Sequence, residues 1–259
     1  MAYFRTYSID DIVSYAKPAY SRNLGYFAAK SEDKAENTEK TQYFPAFVNS
    51  KGAEYQNNRY DENEGKTTTY YTSLRPFLKE QRPETRFISV TEDVQCFIDE
   101  AFGFAASQKM PENIMIKICS KDELRQIHSE FGSWSDNIQG FAINGKKSKK
   151  IFVKNSHLDE LMLTIGHEIG HVFTPSLNNS HDEEAKAFAF AVKWAEAIRE
   201  NNIGNLSSCI KENIDFQPAR NGLHDIAFLF VKNLLRKKDA MQIHWDLAKK
   251  YISMWNFYG

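Results

Sequence analysis

The sequence has few cysteines, no long apolar run and almost no net charge, and each of these absences excludes a class of protein. Its three cysteines are far apart and form no C-x-x-C pair, which argues against a disulfide framework and for a reducing compartment. No apolar run approaches the roughly eighteen residues that a membrane-spanning helix needs, and the N-terminal residues lack the apolar segment of a signal peptide. A formal net charge of −1 indicates no footprint for nucleic acid. We therefore expect a soluble, cytoplasmic protein with no nucleic-acid or membrane partner.

Composition favours one folded core with appended segments. Hydrophobic residues make up 42% of the 259 residues and aromatic residues 14%, which is enough to build a core. We expect an N-terminal appendage over 1–85, a core over 86–200, and a helical C-terminal subdomain over 201–259 that packs on the core. Residues 31–70 are charged, rich in Asn and poor in aliphatic side chains, as loops and disordered linkers are. They form either a solvated appendage or a lid, propeptide or partner-binding arm, with 43–48 as a short strand that can dock on the core.

Helical and strand patterns alternate in the core region, which predicts an α+β fold. Apolar residues recur at helical spacing over 91–108 and alternate with polar residues over 113–119. Ser120, followed three residues later by Glu123, predicts a capping box at the start of a helix. The predicted elements are a strand over 86–90, helices over 91–108 and 120–131 around a strand over 113–119, and a hairpin of strands over 138–143 and 150–153 joined by Asn144-Gly145.

The chain is organised around the segment 158–173, which contains the sequence His167-Glu168-Ile169-Gly170-His171. Residues i and i+4 of a helix lie on one face, so both imidazoles can point at one spot and supply half of a tetrahedral zinc site. Glu168 can then take a proton from a water on the metal. Ser156 with Asp159 predicts a capping box at the start of this helix. The alternative is a core helix with two histidines, but an apolar helix gains nothing by burying Glu168.

A catalytic zinc site needs a third protein ligand and one open position. After Pro175 the pattern predicts a second helix over 181–200, and its first turn offers the candidates. They are His181, Asp182, Glu183 and Glu184.

Helical spacing separates these candidates. At about 100° per residue, Asp182 projects to the side of Lys186, which we expect to be exposed, and Glu183 lies on its flank. Glu184 falls in the apolar side, in line with Phe188. A carboxylate in an apolar stripe needs a partner, which a cation supplies. We therefore predict Glu184 as the third ligand, although the helix macrodipole alone could also explain a carboxylate there; His181 stays the alternative ligand.

The His-Glu-Ile-Gly-His sequence, followed by a helix reading Glu-Ala-Lys-Ala-Phe-Ala-Phe, resembles the gluzincin branch of the zincin superfamily, whose ligands are His, His and Glu. The nearest pattern is that of the ImmA/IrrE-type metallopeptidases, whose second helix carries E-x-x-A-N-x-F-A. Aligning Ala185 and Phe188 with that motif places Asp182 at the ligand position, whereas a shifted register keeps Glu184 there. The third His of metzincins is absent, since position 177 is Leu.

The resemblance covers about residues 113–200 and implies a zincin-like fold. That fold has a small mixed sheet, an active-site helix with the HExxH sequence and a second, ligand-bearing helix, followed here by a mostly helical C-terminal part over 223–235 and 240–255. In zinc peptidases the strand before the metal helix often forms the cleft edge, where a substrate backbone adds as an extra strand. Residues 139–143 are the candidate edge, and an ordinary core hairpin is the alternative.

His224 begins a helix after a turn rich in Pro, Asn and Gly. In gluzincins such as thermolysin, a downstream His or Tyr helps to bind the oxyanion of the tetrahedral intermediate, and the resemblance gives His224 this role. A capping or surface histidine is the alternative.

These features predict a zinc-dependent metallopeptidase that hydrolyses peptide or protein substrates. Zn²⁺ held by His167, His171 and Glu184 lowers the pKa of water, and Glu168 acts as general base and returns the proton to the leaving amine. One alternative is a regulatory protein-binding module of the ImmA/IrrE type, with partner-restricted or no proteolysis. Another is a structural zinc protein, which has no need of a base at Glu168.

Overall fold

The computed structural model describes residues 42–44, 74–214 and 223–257, and these residues have the α+β architecture that the sequence predicts. The predicted polar segment 31–70 lies outside them except for one short strand. The elements are β1 (Gln42–Phe44), β2 (Phe87–Ile88), α1 (Gln95–Ala106), β3 (Ile114–Cys119), α2 (Lys121–His128), β4 (Gly140–Asn144), β5 (Lys149–Lys154), β6 (Ser156–His157), α3 (Leu158–Val172), α4 (Ser180–Glu200), α5 (Leu223–Leu234) and α6 (Ala240–Ala248).

Four strands form a small mixed sheet in the order β1-β4-β5-β3. β4 and β5 are antiparallel, which confirms the predicted hairpin, whereas β3 and β5 are parallel. β1 pairs antiparallel with the outer edge of β4, with Tyr43 opposite Ile143. Ile151 and Val153 of β5 are fully buried, whereas Lys150, the residue before Ile151, is exposed, as expected when alternate side chains of a strand face the core. A separate antiparallel pair joins β2 to β6.

Helix α3 lies between this sheet and helix α4. It contacts β4 and β5 on one side and α4 on the other, and Glu160 is its only residue that is not buried. α4 in turn contacts α1, α5 and α6, so that it is covered on most sides. One hydrophobic cluster runs through all of these helices and includes Leu74, Phe77 and Leu78 from the segment before β2. The segment that carries the two histidines is therefore at the centre of the fold.

Of the two capping boxes that the sequence predicts, the structure contains one. Ser120 accepts a hydrogen bond from the backbone of Glu123, whose carboxylate accepts one from the backbone of Ser120. At α3 the prediction is wrong, because Ser156 lies in β6, the N-cap is His157, and the cap has no side-chain hydrogen bond. Asp159 instead accepts hydrogen bonds from Thr85 and Arg82, which fix α3 to the segment before β2.

The last predicted helix, over 240–255, is shorter than expected. α6 ends at Ala248, and Lys250 adopts a left-handed conformation with φ of 60°, which turns the chain back. The segment after the turn then docks on the start of α4, where Asp182 accepts hydrogen bonds from Ser253 Oγ (2.7 Å) and from the backbone N–H of Met254 (2.8 Å). Within the described ranges, no helix combines the length and apolar character needed to cross a membrane. All three cysteines fall in these ranges and are free thiols.

Candidate metal centre

The two motif histidines lie on one face of α3 and point at the same place. Their side chains are fully buried, and His167 Nε2 is 3.2 Å from His171 Nε2. The rings are nearly perpendicular, with centroids 4.8 Å apart. This is the geometry that the i, i+4 spacing predicts for a continuous helix, and it requires nothing from the rest of the fold beyond burial.

Two glycines let α4 approach this face of α3 closely. A Cβ built on Gly170 would lie 2.7 Å from the Cα and 2.8 Å from the carbonyl oxygen of Ala187, both backbone atoms of α4. A Cβ on Gly166 would lie 2.3 Å from the Trp194 ring, whose Nε1–H donates to the carbonyl oxygen of Met162 in α3. Glycine at both positions therefore sets the spacing of the two helices beside the histidines.

This close approach brings Glu184 of α4 to the histidine pair. Glu184 Oε2 is 3.4 Å from His167 Nε2, and Oε1 is 3.8 Å from His171 Nε2. One ligand atom from each of the three residues can be chosen so that all lie within 4.8 Å of one another. All three side chains are buried. The structure thus brings together the three residues that the sequence predicts as ligands, in a group that could hold a metal ion.

The chemistry of the group fits a divalent cation. Glu184 Oε2 is buried and accepts no hydrogen bond from any residue in the described part of the chain. The charged groups that act on Glu184 are Glu168, Glu183 and Lys186. With Glu184 ionised, three carboxylates and one ammonium carry a formal charge of −2, which a divalent cation neutralises. A buried carboxylate without such compensation is costly.

Burial also sets the protonation of the nitrogen and oxygen donors. It lowers the pKa of His167 well below the ordinary value, and the charge of His171 adds to this effect. The imidazole is therefore neutral and keeps a lone pair for a metal. Burial, together with the negative charges of Glu168 and Glu183, raises the pKa of Glu184 well above its usual range. A cation at this place would reverse that shift, because it favours the ionised carboxylate.

Glu183 and Lys186 form a buried ion pair beside the group, which the sequence interpretation missed. Lys186 is fully buried, although helical spacing predicts it on an exposed side, and its Nζ is 2.9 Å from Glu183 Oε1. The same oxygen accepts a hydrogen bond from His171 Nδ1 at 3.1 Å. Burial would raise the pKa of Glu183, but the His171 hydrogen bond and the Lys186 charge outweigh it and lower the pKa. The i, i+3 spacing of opposite charges was the only sequence signal for this pair.

His224 comes to the group from α5. It is fully buried, and its Nε2 lies 3.3 Å from Glu184 Oε2. Burial lowers its pKa to about 3, with His171 and His181 adding to the effect, so the ring is neutral at physiological pH. The alternative of a surface histidine is therefore wrong. A neutral imidazole has one N–H to donate, and the position beside Glu184 places that ring at the edge of the candidate metal group.

The other two candidate ligands are placed elsewhere. Asp182 lies at the start of α4 and accepts hydrogen bonds from Ser253 and Met254. It is buried, although helical spacing predicts it on an exposed side. His181 is partly buried and does not belong to the three-residue group found in the described part of the chain. Its backbone N–H donates to Asn179, the N-cap of α4. Of the four candidates in the first turn, Glu184 alone belongs to the three-residue group, whereas Glu183 contacts His171 on its other nitrogen.

Three polar side chains converge on the carbonyl groups at the C-terminal end of α3. Asn144, the last residue of β4, donates to the carbonyl oxygens of His171 (2.9 Å) and Thr174 (3.0 Å). Lys149 donates to the carbonyl oxygen of Val172, and Lys186 to that of Pro175. Cations and amide donors here satisfy carbonyl groups that have no partner within the helix, and the cations interact favourably with the negative end of the helix dipole. They also fix the end of β4 beside His171.

Comparison with known protein families, with curated proteins and with solved structures finds no match to this chain.

Proposed function

We propose that this chain is a zinc-dependent metallopeptidase with a zincin-like arrangement of its site. The observation that carries the proposal is the buried group of His167, His171 and Glu184, with Glu168 adjacent on the same helix. Two imidazoles and one carboxylate suit zinc better than the harder cations, which prefer oxygen ligands alone. Three protein ligands leave a fourth position open, as catalytic zinc sites do.

Each residue of the site has a separate task in peptide hydrolysis. When bound, a zinc ion supplies Lewis acidity that lowers the pKa of water and polarises a carbonyl group. Glu168 accepts the proton of the attacking water and delivers it to the leaving amine nitrogen. His224 donates its one N–H to the carbonyl oxygen as negative charge develops there. The low pKa of His224 keeps it a neutral donor, so it does not oppose binding of the metal.

Because Glu168 and the ligand side chains are buried, a peptide reaches them only when a covering segment moves. The predicted cleft edge, β4, ends at Asn144 beside His171. Its outer side is paired with β1 of the same chain. A peptide that adds to β4 as an antiparallel strand would therefore replace residues 42–44.

Zinc content tests the proposal directly. We would purify the wild type, Glu184→Ala and His181→Ala without chelators and measure bound metal by elemental analysis. We expect about one zinc per wild-type chain and loss of zinc with Glu184→Ala. His181→Ala is the matched control, because it changes the alternative ligand at the start of the same helix, and it should retain zinc. Loss with His181→Ala alone would reassign the third ligand. A wild type that neither contains zinc nor takes it up on titration would refute the peptidase proposal.

A further inference from the structure

Both oxygens of the Glu183 carboxylate have defined partners. Oε1 accepts from His171 Nδ1 (3.1 Å) and from Lys186 Nζ (2.9 Å). Oε2 accepts from the backbone N–H of Leu177 (2.7 Å) in the connection between α3 and α4. The side chain is fully buried. Three donors from three different places thus hold this carboxylate in one position.

The two nitrogens of His171 face opposite partners. Nδ1 is directed at Glu183, whereas Nε2 is directed at the candidate metal group, 3.2 Å from His167 Nε2 and 3.8 Å from Glu184 Oε1. A carboxylate can only accept, so the hydrogen bond to Glu183 requires the proton of the neutral ring to be on Nδ1. The lone pair is then on Nε2, which is the form a metal ligand needs.

Lys186 fixes Glu183 from the other side. Its ammonium group donates to Glu183 and to the carbonyl oxygens of His171 (3.4 Å) and Pro175 (3.0 Å), and it is fully buried. Burying such a pair costs more free energy than packing two apolar side chains of similar volume. Stability is therefore a weak explanation for this pair, and the contact of Glu183 with His171 indicates a role in the site.

We propose that Glu183 is a positioning residue, which holds the ring of His171 with Nδ1–H towards itself and Nε2 towards the metal, while Lys186 holds Glu183 in place. This inference rests on the proposed metal site, and it goes beyond that proposal by giving the two buried charged residues a task. Two consecutive carboxylates of α4 therefore face the two nitrogens of His171. Glu184 is a metal ligand on the Nε2 side, and Glu183 supports the ring on the Nδ1 side.

The test separates this role from a purely structural one. In Glu183→Leu/Lys186→Leu both charges are replaced by apolar side chains, so the zinc-free protein should unfold at the wild-type temperature or above it. Its zinc affinity, measured by competition with a chromophoric chelator, should fall about 10- to 100-fold, the usual cost of losing an outer partner of a metal-binding His. Glu183→Gln keeps the shape of the side chain, and its zinc affinity should be about tenfold lower than that of the wild type. This variant decides the question if the double variant does not fold.

Asp182→Asn is the matched control. Asp182 is the preceding residue, is also buried and hydrogen-bonded, and contacts Ser253 and Met254 instead of a histidine. We expect its zinc affinity to equal that of the wild type. A double variant that binds zinc as tightly as the wild type, or an equal loss in Asp182→Asn, would overturn the proposal.

The histidine tautomer gives a readout that does not depend on zinc. Long-range ¹H–¹⁵N correlation spectra of the zinc-free wild type, with His171 assigned by comparison with His171→Gln, should show the proton on Nδ1. The double variant should shift it towards Nε2. A wild-type proton on Nε2 would refute the role of Glu183 even if zinc binds. Conversely, a wild type that binds no zinc but shows the Nδ1–H form would refute the peptidase proposal and leave the Glu183–His171 contact established.

Discussion

Substitution of Gly170 by Ala tests whether the spacing of α3 and α4 sets the metal group. The added Cβ would lie 2.7 Å from Ala187 Cα and 2.8 Å from its carbonyl oxygen, and both atoms belong to helix backbone that cannot rotate away. To reach the 3.4 Å at which ordinary van der Waals contact begins, the two helices must separate locally by about 0.7 Å. Glu184 lies one turn before Ala187 on the same helix and should move with it.

The expected effects differ for stability and for metal binding. Overpacking costs about 1–3 kcal/mol of unfolding free energy, and replacing a helical Gly by Ala returns about 0.5–1 kcal/mol. The net loss of stability is therefore modest, roughly 0–2.5 kcal/mol. Metal sites, in contrast, tolerate ligand displacements of only about 0.2 Å, so we expect zinc affinity to fall at least about tenfold. Chelator competition and thermal unfolding of the zinc-free protein measure the two quantities separately.

Gly103→Ala is the matched control, because Gly103 is also within a helix and a Cβ there meets no atom within 4 Å. It should leave zinc affinity unchanged and raise the free energy of unfolding by about 0.5–1 kcal/mol, which corresponds to a thermal midpoint higher by about 1–4 °C. If Gly170→Ala binds zinc as tightly as Gly103→Ala does, the helix spacing does not control the ligand geometry and the reasoning is wrong.

Three further predictions concern the proposed reaction. Glu168→Gln should retain zinc, but its rate of peptide hydrolysis should fall by about 10²–10⁴-fold because the proton acceptor is gone. Zinc content and cleavage rate are measured in parallel, and loss of zinc would instead make Glu168 a ligand. His224→Phe should keep zinc and lower kcat by about 10²–10³-fold with little change in KM, whereas a rise in KM alone would indicate substrate binding only. Tyr43→Pro/Phe44→Pro should increase cleavage of an unstructured peptide, because it weakens the pairing of β1 with β4. Alternate N–H groups of β1 face β4, so one of two adjacent prolines must remove a hydrogen bond between these strands. An unchanged rate would show that β1 does not hinder access.

Local sequence patterns predicted the elements that carry the site. The i, i+4 spacing of His167 and His171 fixes their relative position on any continuous helix, which is why their convergence could be foreseen. The same rotation of about 100° per residue singled out Glu184 as the carboxylate on the apolar side of α4. The capping box at Ser120 and the hairpin of β4 and β5 were equally accessible, because each depends on neighbouring residues.

Helical periodicity failed where several elements cover the same helix. It predicts an exposed side for Asp182 and Lys186, but α4 is covered by α1, α3, α5 and α6, and by the segment that follows α6. Such a helix has little exposed surface left, so its charged residues are buried with partners. For this reason Glu183, a candidate ligand placed on the flank of that side, was not predicted to contact His171.

The sequence by itself determined the short-range geometry of this protein: which helix carries the histidines, where Glu168 stands beside them, and which face of the next helix carries a carboxylate. Only the tertiary structure decided the contacts between distant segments. These are the close approach of α4 at Gly170, the arrival of His224 from α5, the pairing of β1 with β4 and the burial of Lys186. The physical reason is that side-chain direction along one element follows from backbone geometry, whereas packing between elements depends on the shape and burial of the whole core.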